Sequence, residues 1–317
     1  MGSYERTDMA QDPITSSGGT LEGSARQRPA YSGGTVTAVN LVLEGGAMRG
    51  QFTAGVLDYF MEKGLWAQQV IGTSAGALNG YNYVAGDFGR SCYLNMRYCR
   101  DWRYLSMHSF VRTGNAFGVK FSFDTIPNTL EPFDYDAFRS SPMRLTTVAS
   151  DLETGEADYF TFGDPVDGLP YLIASSAMPL VSKIVEVDGK RLLDGGTCDS
   201  VPLVYSLLTG AKKHIVVLTQ AAGYVKKPEK LMALARQVYS DYPYYLERMQ
   251  YRHVDYNRTY RLLARLHKEG KVFVIWPPRP VTVQSMEKNA DKLLALYSDG
   301  YSEAARCWDA LQEYLAS

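Results

Sequence analysis

Five residues constrain this chain most: Gly72-Thr73-Ser74-Ala75-Gly76, placed directly after the short run Gln69-Val70-Ile71. A Gly-x-Ser-x-Gly stretch in that position asks for a strand, a sharp turn and a helix. The serine then sits on the turn, at the top of a sheet, with a helix N-terminus behind it. Taken alone, the same residues also describe an ordinary helix N-cap after a tight turn. Two further stretches weigh against the plain reading. Upstream lies Glu44-Gly45-Gly46-Ala47-Met48-Arg49-Gly50, and downstream Asp194-Gly195-Gly196 ends another strand-like run. Together they offer a nucleophile, a set of backbone donors and a carboxylate.

The spacing of apolar residues predicts where these pieces sit. Ala38 to Leu43 reads as a buried strand, and Gln51 to Lys63 as a helix stopped by Gly64. Gln69 to Ile71 is the second strand and Ala75 to Val84 the helix after the turn. Arg144 to Leu152 and Glu156 to Phe162 form a hairpin across Glu153-Thr154-Gly155. Leu169 to Ala177 is a short helix ended by Pro179. Ile184 to Val187 and Arg191 to Leu193 flank the turn Asp188-Gly189. Pro202 to Leu208 is helical and His214 to Thr219 is a buried strand. Beyond it, Lys227 to Lys268 reads as helical and tyrosine-rich, Val272 to Trp276 as a strand, and Met286 to Tyr314 as two closing helices.

Alternation of strand and helix from 38 to about 220 predicts an α/β fold: a mostly parallel central sheet flanked by helices on both faces, three layers in all. Residues 1–37 lack an apolar stretch and read as a disordered tail rather than a signal peptide. Residues 38–220 form the catalytic domain and 221–317 a mainly helical C-terminal extension packed on it. The 317 residues are enough for such a core, and the net charge of −1 gives no reason to expect nucleic acid. No Cys-x-x-Cys pair occurs among the four cysteines, so no zinc site is expected. Cys92 and Cys99 would lie roughly 10 Å apart along one helix, too far for a bridge. A reducing, cytoplasmic compartment fits. No segment reaches the ~18 apolar residues of a membrane span, so any membrane contact would be peripheral.

A serine nucleophile needs a base within hydrogen-bond reach. Of His108, His214, His253 and His267, only His214 follows both Ser74 and Asp194, yet it opens the buried strand Ile215-Val216-Val217-Leu218 and reads better as a polar strand start. Asp194 remains, either as a base in a partly desolvated site or as a turn aspartate. The loop at 44–50 fails as a nucleotide site. Gln51 and Phe52 replace the Lys and Ser/Thr of a P-loop, and Glu44 takes the first glycine position of a dinucleotide fingerprint. It suits an oxyanion hole, where successive N–H groups at a helix start hold a negative oxygen.

These elements, in this order, resemble the patatin-like phospholipase family. That family's pattern is Asp-Gly-Gly-Gly-x-Arg-Gly, then Gly-x-Ser-x-Gly, then Asp-Gly-Gly or Asp-Gly-Ala. Ala174-Ser175-Ser176-Ala177-Met178-Pro179 also looks like the family's Ala-Ser-x-Ala-x-Pro segment. The resemblance covers roughly 38–220 and looks closest to bacterial members with an extra C-terminal segment. It implies hydrolysis of lipid acyl esters by a Ser–Asp dyad through an acyl-enzyme, without metal or cofactor. Ser74 would be the nucleophile and Asp194 the base. Gly45, Gly46 and Ala47 would be the oxyanion donors, Arg49 and Gly50 would support the loop, and Gly72 and Gly76 would shape the elbow. Ala47 departs from the third loop glycine, harmlessly if its φ is negative and damagingly if the loop needs φ above zero. Ser200 stands where many relatives have asparagine.

Two stretches bear on the substrate. Residues 102–133 carry Trp102, Tyr104, Leu105, Phe110, Val111, Phe117, Phe121, Phe123 and Phe133 without a clear period. They suit a lid or acyl-chain wall, or equally an aromatic cap on the core. Residues 244–268 interleave tyrosines with Arg248, Arg252, Arg258, Arg261, Arg265 and Lys268. Such a face can bind anionic headgroups, but more often it is solvated with the tyrosines beneath. A lipid or acyl-ester substrate is therefore expected, and a peripheral membrane contact is conceivable. An acyltransferase or peptidase with the same dyad, or a silent binding scaffold, are the alternatives. Oligomeric state cannot be read.

Overall fold

The computed structural model describes residues 35–317; the tail expected over 1–37 lies outside that range except for its last three residues. Eight strands form one sheet: β1 Thr37–Leu43, β2 Ala67–Thr73, β3 Arg144–Asp151, β4 Ala157–Phe162, β5 Val185–Val187, β6 Lys190–Asp194, β7 His214–Val217 and β8 Phe273–Ile275. Along it the order is β5-β6-β3-β2-β1-β7-β8, with β4 paired to β3 off this path. The pairs β2/β3, β2/β1, β1/β7 and β7/β8 are parallel; β3/β4, β3/β6 and β5/β6 are antiparallel. This is the expected mostly parallel α/β sheet.

Alternate residues of the central strands point to opposite sides. Leu41 and Leu43 of β1, Ile215 and Val217 of β7, and Phe273 and Ile275 of β8 enter one core. Val42, Val216 and Val274 enter the other. Helices cover both. Over the first face lie α1 (Gly50–Glu62), α10 (Ala290–Arg306) and α11 (Trp308–Ala316); over the second lie α7 (Leu203–Leu208) and α9 (Pro243–Lys268). Residues beyond 220 thus supply a strand of the sheet and part of both outer layers.

Helix α1 is buried on all sides from Gly50 to Met61, with Gln51, Thr53 and Asp58 enclosed among its apolar residues. Its partner α10 comes close enough for backbone contact. A Cβ on Gly55 would stand 2.1 Å from the Tyr297 carbonyl oxygen, and one on Gly300 would stand 2.0 Å from that of Phe52.

The remaining helices are α2 (Ala75–Val84), α3 (Arg90–Tyr98), α4 (Met107–Thr113), α5 (Tyr135–Ser140), α6 (Leu169–Ser175) and α8 (Met232–Val238), with a π-helical segment at Phe121–Leu130. The stretch 102–133, without period in sequence, therefore contains regular structure. Its elements are too short for a periodic signal, although one carried a cap, Ser106, which accepts from the Ser109 N–H; just beyond the stretch Asp134 caps α5 through the Ala137 N–H. The helical stretch expected over 227–268 is two helices, broken at Tyr239–Tyr242, with Pro243 opening the longer one.

Candidate active site

Register alone brings the serine and the aspartate together. On one edge β3 pairs with β4 throughout. On the other, Val148 pairs with Thr73 of β2 and the next residue, Ala149, with Asp194 of β6. The C-terminal ends of β2 and β6 therefore meet head to head, and Ser74 lies beside Asp194. The Ser74 hydroxyl donates to Asp194 Oδ2 at 2.6 Å, and the Gly196 N–H donates to Oδ1 at 2.7 Å. Both side chains are buried, Ser74 to 8% exposure and Asp194 to 7%. Burial pushes the Asp194 carboxyl above the usual carboxylate range, against the opposing pull of Ser74, the Gly196 amide and the Arg252 guanidinium.

The elbow is strained and tightly built. Ser74 caps α2 with φ 54° and ψ −122°, a conformation rare outside glycine. Its glycines are required by proximity. A Cβ on Gly72 would lie 2.6 Å from the Ala77 nitrogen, and one on Gly76 would lie 2.3 Å from the Leu43 carbonyl oxygen. The segment from Ala174 to Pro179 holds both partners. Ser175 Oγ accepts the Ser74 N–H at 2.9 Å, and the Asp194 N–H donates to the Ala177 carbonyl at 2.8 Å.

The glycine-rich loop runs past the same point. Its three expected donors divide: the Gly45 N–H already donates to the Ser200 carbonyl at 3.1 Å, whereas those of Gly46 and Ala47 have no hydrogen-bond partner among the described residues. Gly45 packs against the serine, with a notional Cβ 3.2 Å from Ser74 Cβ. Ala47 has φ 48°, so the loop does take the conformation in which a missing glycine carries strain. Gly50 starts α1 against Asn79, whose amide donates to the Gly50 carbonyl at 3.0 Å. Arg49 faces the adjoining cavity, its Nε buried without a hydrogen bond among the described residues. Ser200 Oγ donates to the Gly196 carbonyl at 2.7 Å, tying this residue to the loop after Asp194.

Two cavities share Ala47, Ser74 and Met178. One, about 140 Å³, is largely apolar; Leu78, Tyr104, Phe117, Phe123, Ile126 and Leu172 are among its walls. Of the aromatic stretch at 102–133, Tyr104, Leu105, Phe117, Phe123 and Phe133 line it, while Trp102 stacks on His108 and Phe121 packs on Tyr98. The other cavity, about 300 Å³, is polar; it contains Asp194 and three cations, Arg49, Lys226 and Arg252, with Glu229. Burial and the neighbouring Arg252 and Arg49 push the Lys226 ammonium down to about 8.

No histidine lines either cavity. His214 stands at the start of β7 opposite Asn40, three residues before the Leu43–Val217 pair and so ~10 Å from the Ser74 end of the sheet. Its Nδ1 meets Ser206 Oγ at 2.8 Å. His267 accepts from the Val274 N–H beside β8.

The basic stretch 244–268 has two characters. Arg258 and Arg265 are exposed and pair with Asp255 and Glu269, and Tyr245, Tyr256 and Tyr260 are buried beneath. Arg252 instead turns inward to the polar cavity, within 3.4 Å of Ser200 Oγ. Tyr256 and Tyr260 reach Glu44, the residue before the glycine loop. Ser175 lay in the Ala-Ser-x-Ala-x-Pro segment, whereas Arg252, Lys226 and these tyrosines had no motif around them. A run of arginines and tyrosines at helical spacing was the one hint, and it pointed as well to a solvated face. The four cysteines are free thiols. Among the described residues no group of side chains could hold a metal ion, and no helix is long and apolar enough to cross a membrane.

Comparison with known proteins gives two family matches along the chain. The family model described as patatin-like phospholipase matches residues 41–207, and one described as a domain of unknown function (DUF6363) matches 242–316. The uncharacterized protein YjjU of Escherichia coli K12 is 26% identical over 258 residues, 77% of this chain and 69% of that protein. An uncharacterized NTE family protein of Mycobacterium tuberculosis, Rv1063c, is 28% identical over 171 residues, 54% of this chain and 46% of that one. Lysophospholipase NTE1 of Mycosarcoma maydis is 28% identical over 189 residues, 57% of this chain but 10% of its own length. Among solved structures, VipD from Legionella pneumophila overlays 87% of this chain and 67% of its own at a TM-score of 0.45 and 11% identity.

Proposed function

The chain belongs to the patatin-like phospholipase family of lipid hydrolases, and on that premise we propose that it is a serine acyl hydrolase working through Ser74 and Asp194. One observation carries the reading: a buried 2.6 Å hydrogen bond from the Ser74 hydroxyl to Asp194, at the point where an apolar and a polar cavity join. A lipid ester is amphiphilic, and a site with one wall of each kind matches it. The acyl chain enters the apolar cavity. The alcohol side faces the cations of the polar one.

Asp194 Oδ2 takes the Ser74 proton as Oγ attacks the ester carbonyl carbon. The carbonyl oxygen becomes an oxyanion and receives the free N–H groups of Gly46 and Ala47. Collapse breaks the bond to the alcohol oxygen, which leaves with the proton held by Asp194. Water then attacks the acyl-enzyme while Asp194 accepts one of its protons. Collapse of the second intermediate releases the fatty acid and returns the proton to Ser74. A single carboxylate suffices because burial raises its basicity.

Lipid would reach the site from a surface, with the protein cytoplasmic and peripheral to the membrane. Val225, Leu234 and Val238 are exposed close in sequence to Tyr224, Lys226 and Leu231 at the polar cavity, and they form the contact we assign to that surface. The test is labelling by a fluorophosphonate together with hydrolysis of p-nitrophenyl esters from two to sixteen carbons. Wild type should react in both, and Ser74→Ala in neither. A folded wild-type protein that is inert to both reagents would overturn the reading.

A further inference from the structure

Glu44 closes β1 and begins the glycine loop. It is 1% exposed and makes no ion pair among the described residues, although the Lys226 ammonium feels its charge. A buried carboxylate without an ion pair needs hydrogen-bond donors to remain in place. Glu44 has three. The Thr219 N–H donates to Oε2 at 2.5 Å, the Tyr260 hydroxyl donates to the same oxygen at 2.8 Å, and the Tyr256 hydroxyl donates to Oε1. The two tyrosines lie four residues apart on the inner face of α9, with rings stacked at 4.6 Å.

The next residue is held on both backbone sides. The Gly45 N–H donates to Ser200, and its carbonyl accepts from Thr219 Oγ1 at 3.2 Å. These fixed groups immediately precede the two free amides of Gly46 and Ala47. The family pattern has Asp where this chain has Glu44. The extra methylene carries the carboxylate to hydroxyls supplied by residues 256 and 260, which lie in the 242–316 match and outside the 41–207 match.

We propose that Tyr256 and Tyr260 are positioning residues: through Glu44 they fix the glycine loop so that the Gly46 and Ala47 amides converge on the developing oxyanion. The C-terminal segment thereby takes part in the reaction without touching substrate. This rests on the reading of Ser74 as nucleophile.

The test compares Tyr256→Phe, Tyr260→Phe and the double variant with wild type on a p-nitrophenyl ester, with rates normalised to folded protein. A misaligned oxyanion hole lowers kcat and spares KM. Each single variant should lose about tenfold in kcat and the double about a hundredfold, with KM within about threefold. Glu44→Gln added to the double should cost little more, because both tyrosine hydroxyls through which Glu44 acts are then already gone. Hydrogen exchange of the amides at 45–50 should be faster in the double variant, a readout that needs no turnover. A double variant that melts lower but keeps kcat within twofold would show a merely structural contact and overturn the proposal. If the double does not fold, Tyr260→Phe alone is read by the same split. If wild type hydrolyses nothing, the esterase reading fails, and unchanged exchange at 45–50 then separately sinks the clamp.

Discussion

Replacing Asp194 by Asn should abolish turnover while leaving the fold as stable as before or more so. The amide can sit in only one way. The Gly196 N–H donates to Oδ1 at 2.7 Å, so the asparagine oxygen must stay there and its NH₂ group must face Ser74 Oγ. The serine then meets a donor where it had a base. Loss of a general base costs about 10²–10⁴ in rate, and with the acceptor reversed the upper end applies, about 4–5.5 kcal/mol at 1.36 kcal/mol per decade. Stability moves the other way. The carboxyl pKa is raised in the folded protein, so the fold binds this proton more tightly than the unfolded chain does. Its contribution is present at low pH and is lost as pH rises through the folded pKa. Above that pKa the native protein holds an unfavourable buried charge that asparagine lacks. The assay is p-nitrophenyl ester hydrolysis and fluorophosphonate labelling beside a thermal melt at pH 7.5. Activity within tenfold of wild type, or a melt lowered by several degrees, would refute the reasoning.

Four further outcomes follow from the geometry. The acid limb of kcat/KM should lie above the ordinary carboxylate range, and Arg252→Gln, which removes a cation holding Asp194 down, should move it to higher pH; an unmoved limb would show that Asp194 does not control it. Gly55→Ala should cost about 3 kcal/mol or more by urea unfolding, since its Cβ would meet the Tyr297 carbonyl oxygen at 2.1 Å and backbone cannot swing aside. His214→Ala should keep kcat within twofold while losing stability with the Ser206 bond, and loss of kcat in folded protein would point to a Ser–His arrangement instead. Ala47→Gly should change stability by less than about 1 kcal/mol, because relief at φ 48° is offset by the greater freedom of glycine in the unfolded chain, and chemical denaturation measures it.

Sequence displayed those parts of the molecule whose cause is local. Strands such as Arg144–Asp151 and the hairpin turn at Asp188-Gly189 depend on neighbouring residues, and they stand where their patterns placed them. The Ser74 elbow was visible because its glycines are needed within a few residues of one another. The segment from 90 to 140 was not, because its helices are short and their burial is set by the apolar cavity rather than by a repeating face. The tie between Glu44 and Tyr256 joins residues 212 apart, and nothing in either neighbourhood announces the other. Nor could sequence show that Gly45 spends its N–H on Ser200, leaving Gly46 and Ala47.

The packing of α1 against α10 also bears on how the chain is made. Gly55 is synthesised early and Gly300 late, yet their helices close on each other at backbone distance. Until residue 300 has been made, α1 lacks the cover that α10 gives it, and Asp58 lacks the Tyr297 hydroxyl. The nascent protein therefore carries an exposed apolar surface through most of its translation, which favours binding by chaperones and late, concerted folding. A gene cut after the 41–207 region would leave that surface permanently bare, and its product should collect in inclusion bodies.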